Sequence, residues 1–385
     1  MENGSPQDHR FRVLIAGGGV AGLEAAFALR ELAGDRVALT ILAPSDEFVY
    51  RPMAVGEPFT AGWASHHSLG ELAAAAGADH VRDGLGEVDS SDRLVHTTGG
   101  LELAYDALLV CPGAAMVPAY EHATNFDDAR SDELLHGLVQ DIEGGYVKHL
   151  AVIVPAPMPW PFPGYELAFL AAERAYDSGV TMAVTVLSPE PSPLAAFGAN
   201  ASRALAELLA ERGVEFIGEA FCEVPATQTV VVRPGGRTLS PDRIIALPAL
   251  HGPGLPGLPQ DGNRFIPIDE YGRVTGVDAV WAAGDATDYP LKTGGVAAQL
   301  ADTVACSIAE AAGADCRPTP FAPDLEGYLL TGGRPFHLRG RHTTDGSDDS
   351  AFTEVPRGEH PVKTATRYLA PHLPAPQRPP APASE

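Results

Sequence analysis

Cysteine is scarce in this chain: there are four in 385 residues, and no two of them stand in a CxxC or CxxxxC pair. Thiols paired at such short spacing carry out disulfide exchange, so that chemistry has no candidate residues. Cys111, Cys222, Cys306 and Cys316 read instead as buried or inert thiols of a protein kept in a reducing cytoplasm. Basic residues are also few. Lys and Arg number 26 against 50 Asp and Glu, and a formal net charge of -24 argues against nucleic acid and against electrostatic attachment to anionic lipid. No run of 18 apolar residues is free of charge, so no spanning helix is expected. Residues 1–10 are polar and lack the apolar core of a secretory signal. The histidines form no ligand spacing, and the adjacent His66 and His67 would point to opposite faces of a strand, so no metal site is expected.

What is present begins with glycine. An apolar run over residues 11–16 leads into Gly17-Gly18-Gly19-Val20-Ala21-Gly22, and a helical pattern follows over residues 23–32. That strand, turn and helix is the context a GxGxxG fingerprint requires. Gly17 allows a tight turn, Gly19 lets the backbone approach a pyrophosphate, and Gly22 lets helix and strand pack closely. The helix N-terminus, at Val20 and Ala21, then faces the phosphates.

A second piece lies far along the chain. Residues 279–283 read as a short buried strand ended by Gly284-Asp285, and Gly294-Gly295-Val296 precedes a helical stretch over residues 297–312. An Asp at the carboxyl end of a parallel strand sits where such sheets bind ligands. These two pieces, with Tyr105-Asp106-Ala107-Leu108-Leu109-Val110-Cys111-Pro112-Gly113-Ala114, resemble the FAD-binding pattern of the pyridine nucleotide-disulfide oxidoreductase superfamily over residues 11–310. The resemblance implies non-covalent FAD, with Asp285 on the ribityl chain and the backbone at Gly295 and Val296 facing the flavin's pyrimidine edge. A helix dipole there would favour reduced anionic flavin by an amount on the order of 1 kcal/mol. Cys111 stands where the superfamily usually has Ala, before Pro112 and Gly113.

The fingerprint also asks for an acid about 20 residues past the glycines, at the end of the second strand, to hold ribose hydroxyls. Residues 37–42 supply the strand, but Ala43-Pro44 end it, and the nearest acids are Asp46 and Glu47 in a loop. The next segment, Phe48-Val49-Tyr50-Arg51-Pro52, is similar to the stretch that runs beside the cofactor in related flavoproteins, and Arg51 is its candidate phosphate or flavin contact. Leu85 falls where the family's backbone touches adenine.

A second βαβ unit is expected from strands at residues 150–154 and 180–187 and helices at residues 165–178 and 199–212. Its turn has no GxGxxG. It reads Pro155-Ala156-Pro157-Met158-Pro159-Trp160-Pro161-Phe162-Pro163-Gly164-Tyr165-Glu166, and prolines remove the N–H donors a pyrophosphate needs. This turn resembles that of sulfide:quinone oxidoreductases and flavocytochrome c sulfide dehydrogenases, where a reactive Cys stands at the position of Phe162. NAD(P)H binding in the usual manner is therefore not supported, and neither is a cysteine persulfide. Trp160, Phe162 and Tyr165 either line an apolar pocket or pack a domain interface.

Lys292, in Pro290-Leu291-Lys292-Thr293-Gly294-Gly295, is the candidate reactive neighbour of the flavin, as in the quinone-reducing relatives that this segment resembles. An ammonium there would favour reduced flavin and could donate a proton. Residues 318–341 are expected to form β-structure closing over the flavin, residues 343–359 a mobile loop, and residues 362–369 one short helix. The expected fold is α/β, with two doubly wound Rossmann-like units. Residues 11–118 with 250–312 form a discontinuous FAD domain, 119–249 the second unit, 313–370 a C-terminal region and 371–385 a disordered Pro/Ala tail. The expected function is FAD-dependent electron transfer from a small donor to an acceptor such as a quinone, in the cytoplasm or loosely at a membrane. Two alternatives stay open: an NAD(P)H-dependent flavin reductase with an atypical nucleotide site, and a non-catalytic FAD-binding regulatory protein. Oligomeric state is not legible in the sequence.

Overall fold

The computed structural model describes residues 10–340, 348–356 and 363–374. Among them, six α-helices follow in chain order: α1 Val20–Ala33, α2 Leu69–Ala75, α3 Ser131–Glu143, α4 Phe162–Asp177, α5 Ala199–Glu211 and α6 Gly294–Ala311. Two five-stranded parallel sheets carry the fold. In the first, Phe11–Ala16 is central, flanked on one side by Val37–Leu42 and Ala78–Val81 and on the other by Ala107–Val110 and Val280–Ala282. The last strand comes from far along the chain, as the split glycine motifs require. Ala107–Val110 and Val280–Ala282 are buried throughout, the pattern of parallel strands covered on both faces. Each Ile or Leu enclosed there, such as Ile15 or Leu109, contributes about 1.5–3 kcal/mol of transfer free energy.

The second sheet runs Thr124–Asn125, Arg243–Ala246, His149–Ile153, Ala183–Leu187, Val214–Ile217, all parallel. Helices α4 and α5 cover it through Phe169, Leu170, Leu205 and Leu209. In the first unit, α1 lies along α6. Alanines at 21, 25, 28, 297, 301 and 305 let the two backbones approach.

Four expectations change. Within residues 343–359, Ala351–Glu354 is a strand paired with Phe336–Gly340, which in turn pairs with Leu325–Leu329. Residues 343–347 and 357–359 lie outside the described residues. No helix forms over residues 363–369, because Glu24 of α1 draws the amides of Arg367, Tyr368 and Leu369 onto its carboxylate at 2.6, 2.8 and 2.6 Å. Three amides bound to one side chain cannot also take part in a helical ladder. The tail is ordered at its start: Ala370–His372 is a 3₁₀ turn whose His372 stacks on Phe27 at 3.9 Å, while residues 375–385 lie outside the described residues. Finally, Cys306 and Cys316 are not free thiols but a disulfide joining α6 to the loop after it. A spacing of ten residues is no redox motif, and only the turn that follows α6 brings the pair together.

Candidate functional site

The glycine turn is built as its sequence implies. Gly17 has φ +143, and a Cβ on it would lie 2.2 Å from the Cys111 carbonyl oxygen. A Cβ on Gly22 would meet the Gly17 carbonyl at 2.0 Å, so strand, turn and helix touch through bare backbone. Gly19 differs in having nothing within 4 Å of a built Cβ. It caps α1 with no side-chain bond, and Val20 and Ala21 begin the first turn, which contains no acid. An uncapped first turn beneath an open glycine is a cradle for an anion.

The other predicted residues converge on it. Gly113, at φ +82 and also open at its Cβ, ends the Ala107–Val110 segment beside the turn. Gly284, at φ +71, lies with its Cβ position 3.3 Å from Ala21 and 3.6 Å from Ala297, so the starts of α1 and α6 meet at this residue. Asp285 follows, partly exposed, and none of the described residues donates a hydrogen bond to it. Its carboxyl is pushed up by desolvation, with Lys292 opposing. The first turn of α6 has no side-chain cap and no acid, Gly295 is open, and Val296 is buried. These features fit a dinucleotide lying across the carboxyl ends of the strands, with one phosphate-binding helix end and a second helix end at the ring.

Cys111 takes no part in that surface. Its Sγ lies 3.7 Å from the Gly17 carbonyl, underneath the turn, and burial pushes the thiol up to about 12. Arg51 pairs with Asp128 at 3.9 Å. The Asp128 carboxyl is pushed up by burial, against Arg51 and together with the charges of Asp127, Asp285 and Glu57, which places Arg51 in the neighbourhood of Asp285. Asp46 and Glu47 serve elsewhere, on Arg82 at 2.6 Å and His66 at 3.3 Å, and Glu47 belongs to a strand, Glu47–Tyr50. Leu85 begins the strand Leu85–Asp89 and packs on the cluster containing Leu42.

Lys292 is not an exposed loop lysine. Its side chain is buried, its ammonium donates to the Thr287 carbonyl, and it lies 4.3 Å over the Phe265 ring. Burial lowers it to about 8, against the opposing pull of Asp285, Asp288 and Asp261.

The corresponding place in the second unit is filled by protein. Phe162 and Pro163 open α4, Trp160 stacks on Phe162 at 5.1 Å, and both rings meet Phe197. Gly327 of the C-terminal sheet presses on Phe162, where any Cβ would come within 2.7 Å of the ring. At the end of Ala183–Leu187, Glu190 accepts hydrogen bonds from the buried Tyr165 hydroxyl at 2.7 Å and from Ser188 at 2.9 Å. Trp160, Phe162 and Tyr165 therefore pack an interface, and the acid that could hold a ribose is occupied.

The sequence reading missed three groups. Asp128 is one. The second is a buried ion pair, Glu166 with Lys363 at 2.5 Å, in which Glu166 also accepts from the Leu330 amide and Lys363 donates to the Pro52 carbonyl next to Arg51. The third is Glu24 with Asp302 on α6. A charged residue inside an Ala/Leu helix face, as Glu24 is, was the available signal. Beside these groups a cavity of about 280 Å³ opens at the start of α6, bounded by Thr293, Val296, Gln299, Asp302, Leu325 and residues 365–367. Gln299 does not face solvent: its amide bonds the backbone of Asp324 at 2.9 Å in both directions.

Residues 11–311 match the family described as pyridine nucleotide-disulphide oxidoreductase. The chain belongs to this family and is an FAD-dependent oxidoreductase. An NADH dehydrogenase-like protein of Mycobacterium tuberculosis is 28% identical over 296 residues, 71% of this chain and 72% of that one. The sulfide:quinone oxidoreductase of Aquifex aeolicus superposes with a TM-score of 0.79 at 18% identity, over 90% of this chain and 87% of that one. The NDH2 of Plasmodium falciparum, in complex with NADH, does so with a TM-score of 0.58 at 16% identity, over 72% and 64%. At these identities the solved structures share the fold. No helix among the described residues is long and apolar enough to cross a membrane.

Proposed function

We propose that the protein takes electrons from a small donor and passes them to an acceptor such as a quinone seated in the cavity beside α6. The observation that carries this reading is the first turn of α6: the same uncapped residues, Gly295 and Val296, bound both the cofactor cradle and the acceptor cavity. Bound FAD supplies the two-electron chemistry. Gly17, Gly19, Val20, Ala21 and Gly22 hold its pyrophosphate, and Gly113 leaves room for the chain between phosphate and ring. Asp285 and Gly284 receive the ribityl hydroxyls, Arg51 meets a phosphate or the ring, and Leu85 flanks adenine. Gly295 and Val296 direct the α6 dipole at the ring's pyrimidine edge, where negative charge develops on reduction. Lys292, lowered to about 8 by burial, holds a proton close to that edge.

The division into residues 11–118 with 250–312, 119–249 and 313–370 belongs to the same proposal, as does a protein that meets membrane-borne quinone from outside the bilayer. The Cys306–Cys316 disulfide removes the thiol argument for a reducing cytoplasm. Thiol chemistry lacks a residue: Phe162 stands at the reactive position, Cys111 lies under the turn, and Cys222, also pushed up by burial to about 12, sits in the separate strand Phe221–Ala226. An NAD(P)H-dependent dehydrogenase is the second reading, favoured by the name of the mycobacterial relative and opposed by the aromatic packing at α4 and the Tyr165–Glu190 bond. Anaerobic titration with NADH, NADPH and sulfide tests the choice. We expect no rapid bleaching by any of the three; bleaching by a nicotinamide within seconds would establish the second reading.

A further inference from the structure

The segment of residues 363–369 is a strap across the start of α6. Its ends are fixed, Lys363 by the ion pair with Glu166 and Leu369 by full burial in the first core. Its middle is held by hydrogen bonds from amides to side chains: Thr364 to the Tyr50 hydroxyl at 3.0 Å, and Arg367, Tyr368 and Leu369 to Glu24. Residues 365–367 form one wall of the cavity, and Thr364 lies against Gly294.

Glu24 does not act alone. The Asp302 carboxyl of α6 faces it, and Asp302 Oδ1 is buried with no hydrogen-bond partner among the described residues. Two carboxylates facing each other need a proton between them, since like charges at close range repel by several kcal/mol. Both Glu24 oxygens already accept amide hydrogens from the strap, whereas Asp302 Oδ1 is unpartnered, which places the proton on Asp302. We propose that the Glu24–Asp302 carboxyl pair is a proton-held clasp on the strap, and that loss of the shared proton loosens residues 365–367 and opens the cavity wall. Without the proton, Asp302 repels Glu24 beneath its three amides, and the strap bulges between its two fixed ends.

The charged and titratable groups around Asp302 are few. Glu24 faces it from α1 and Arg367 from the strap, with Tyr368 next to Arg367; Glu31 of α1 acts on Tyr368, and Asp324 and Glu326 lie across the cavity. Burial first, then Glu24, pushes the Asp302 carboxyl up to about 7, with Arg367 opposing. A carboxyl whose pKa is higher with the strap docked than with it free favours docking most at low pH. The advantage falls by about tenfold per pH unit up to the docked value and is constant above it. The clasp is therefore tight near pH 5 and loosest from about pH 7 upward.

Amide hydrogen exchange of the FAD-loaded protein reads this directly. Corrected for intrinsic rates, protection of the amides of residues 367–369 should fall at least tenfold between pH 5 and pH 7 and level off above, while amides in the middle of α6 keep theirs. Asp302→Asn, whose amide donates to Glu24 at every pH, should make that protection independent of pH. A flat wild-type profile would overturn the proposal, as would a variant as steep as wild type; the wild-type profile decides even if the variant fails to fold. The effect on acceptor entry rests on the proposed function, but the clasp is read with no acceptor present. Failure of quinone turnover and failure of the clasp are thus separate results.

Discussion

Replacing Lys363 with Met strips Glu166 of its only cationic partner among the described residues. Both side chains are nearly inaccessible, at 6% and 1% exposure, so solvent cannot take over from the lost ammonium. Breaking a buried pair by removing one partner costs about 3–5 kcal/mol, whereas replacing both with apolar groups of similar size is often close to neutral. The Glu166 carboxyl is already pushed up by burial, with Lys363 opposing, so in Lys363→Met it rises further. Its folded pKa then lies well above the unfolded one. Stability is retained below the unfolded value and is lost as pH rises toward the folded value. Thermal unfolding of the FAD-loaded variant should thus show a Tm near wild type at pH 5 and a deficit at pH 8 that reflects the 3–5 kcal/mol. Adding Glu166→Leu to Lys363→Met should recover most of the deficit at pH 8. An equal loss at both pH values, or no recovery in the double variant, would refute the reasoning, because each would place the cost in packing and not in an uncompensated charge.

Other consequences follow from the cradle and its surroundings. Gly19→Val points a side chain into open space and leaves the fold intact, so the variant should purify folded but colourless, judged by circular dichroism and flavin absorbance; a fully yellow protein would remove Gly19 from the cofactor site. Lys292→Met should slow flavin reduction or reoxidation at least several-fold. In the wild type the rate should change as pH rises through about 8, where the ammonium loses its proton, and stopped-flow profiles of the variant should lack that inflection. Cys306→Ser opens a loop of ten residues and should cost roughly 2–3 kcal/mol of stability by chain entropy, with the flavin spectrum unchanged; an altered spectrum would place the disulfide in contact with the redox site.

The parts that were legible in the sequence are those where one local pattern determines one structure. The run over residues 11–16, the strand over residues 37–42 and the helix after Gly19 appear where their periodicity puts them, and the glycines at 17, 19 and 22 differ in their crowding as their proposed roles require. The proline-rich turn is equally readable, since its prolines lack the N–H groups that would bind a phosphate and the rings at 160 and 162 stack on each other. Contacts between distant segments were not legible. Glu24 and residues 367–369 are more than 340 positions apart, and Glu166 and Lys363 almost 200, so no window of sequence reveals that two buried acids determine the path of the C-terminal strap. The helical pattern over residues 362–369 failed for this reason, a carboxylate outcompeting the helical ladder for its amides. The disulfide was missed because spacing alone does not show that the turn after α6 returns Cys316 to Cys306.

The most direct test of electron transfer to a quinone beside α6 is anaerobic reoxidation. The FAD-loaded protein is reduced with dithionite, freed of excess reductant and mixed with a short-chain quinone while flavin absorbance is followed. Full return of the oxidised spectrum, with one quinone consumed per flavin and a rate that rises with quinone concentration, is the predicted result. A flavin that stays reduced at every quinone concentration, yet reoxidises in air, would contradict the account.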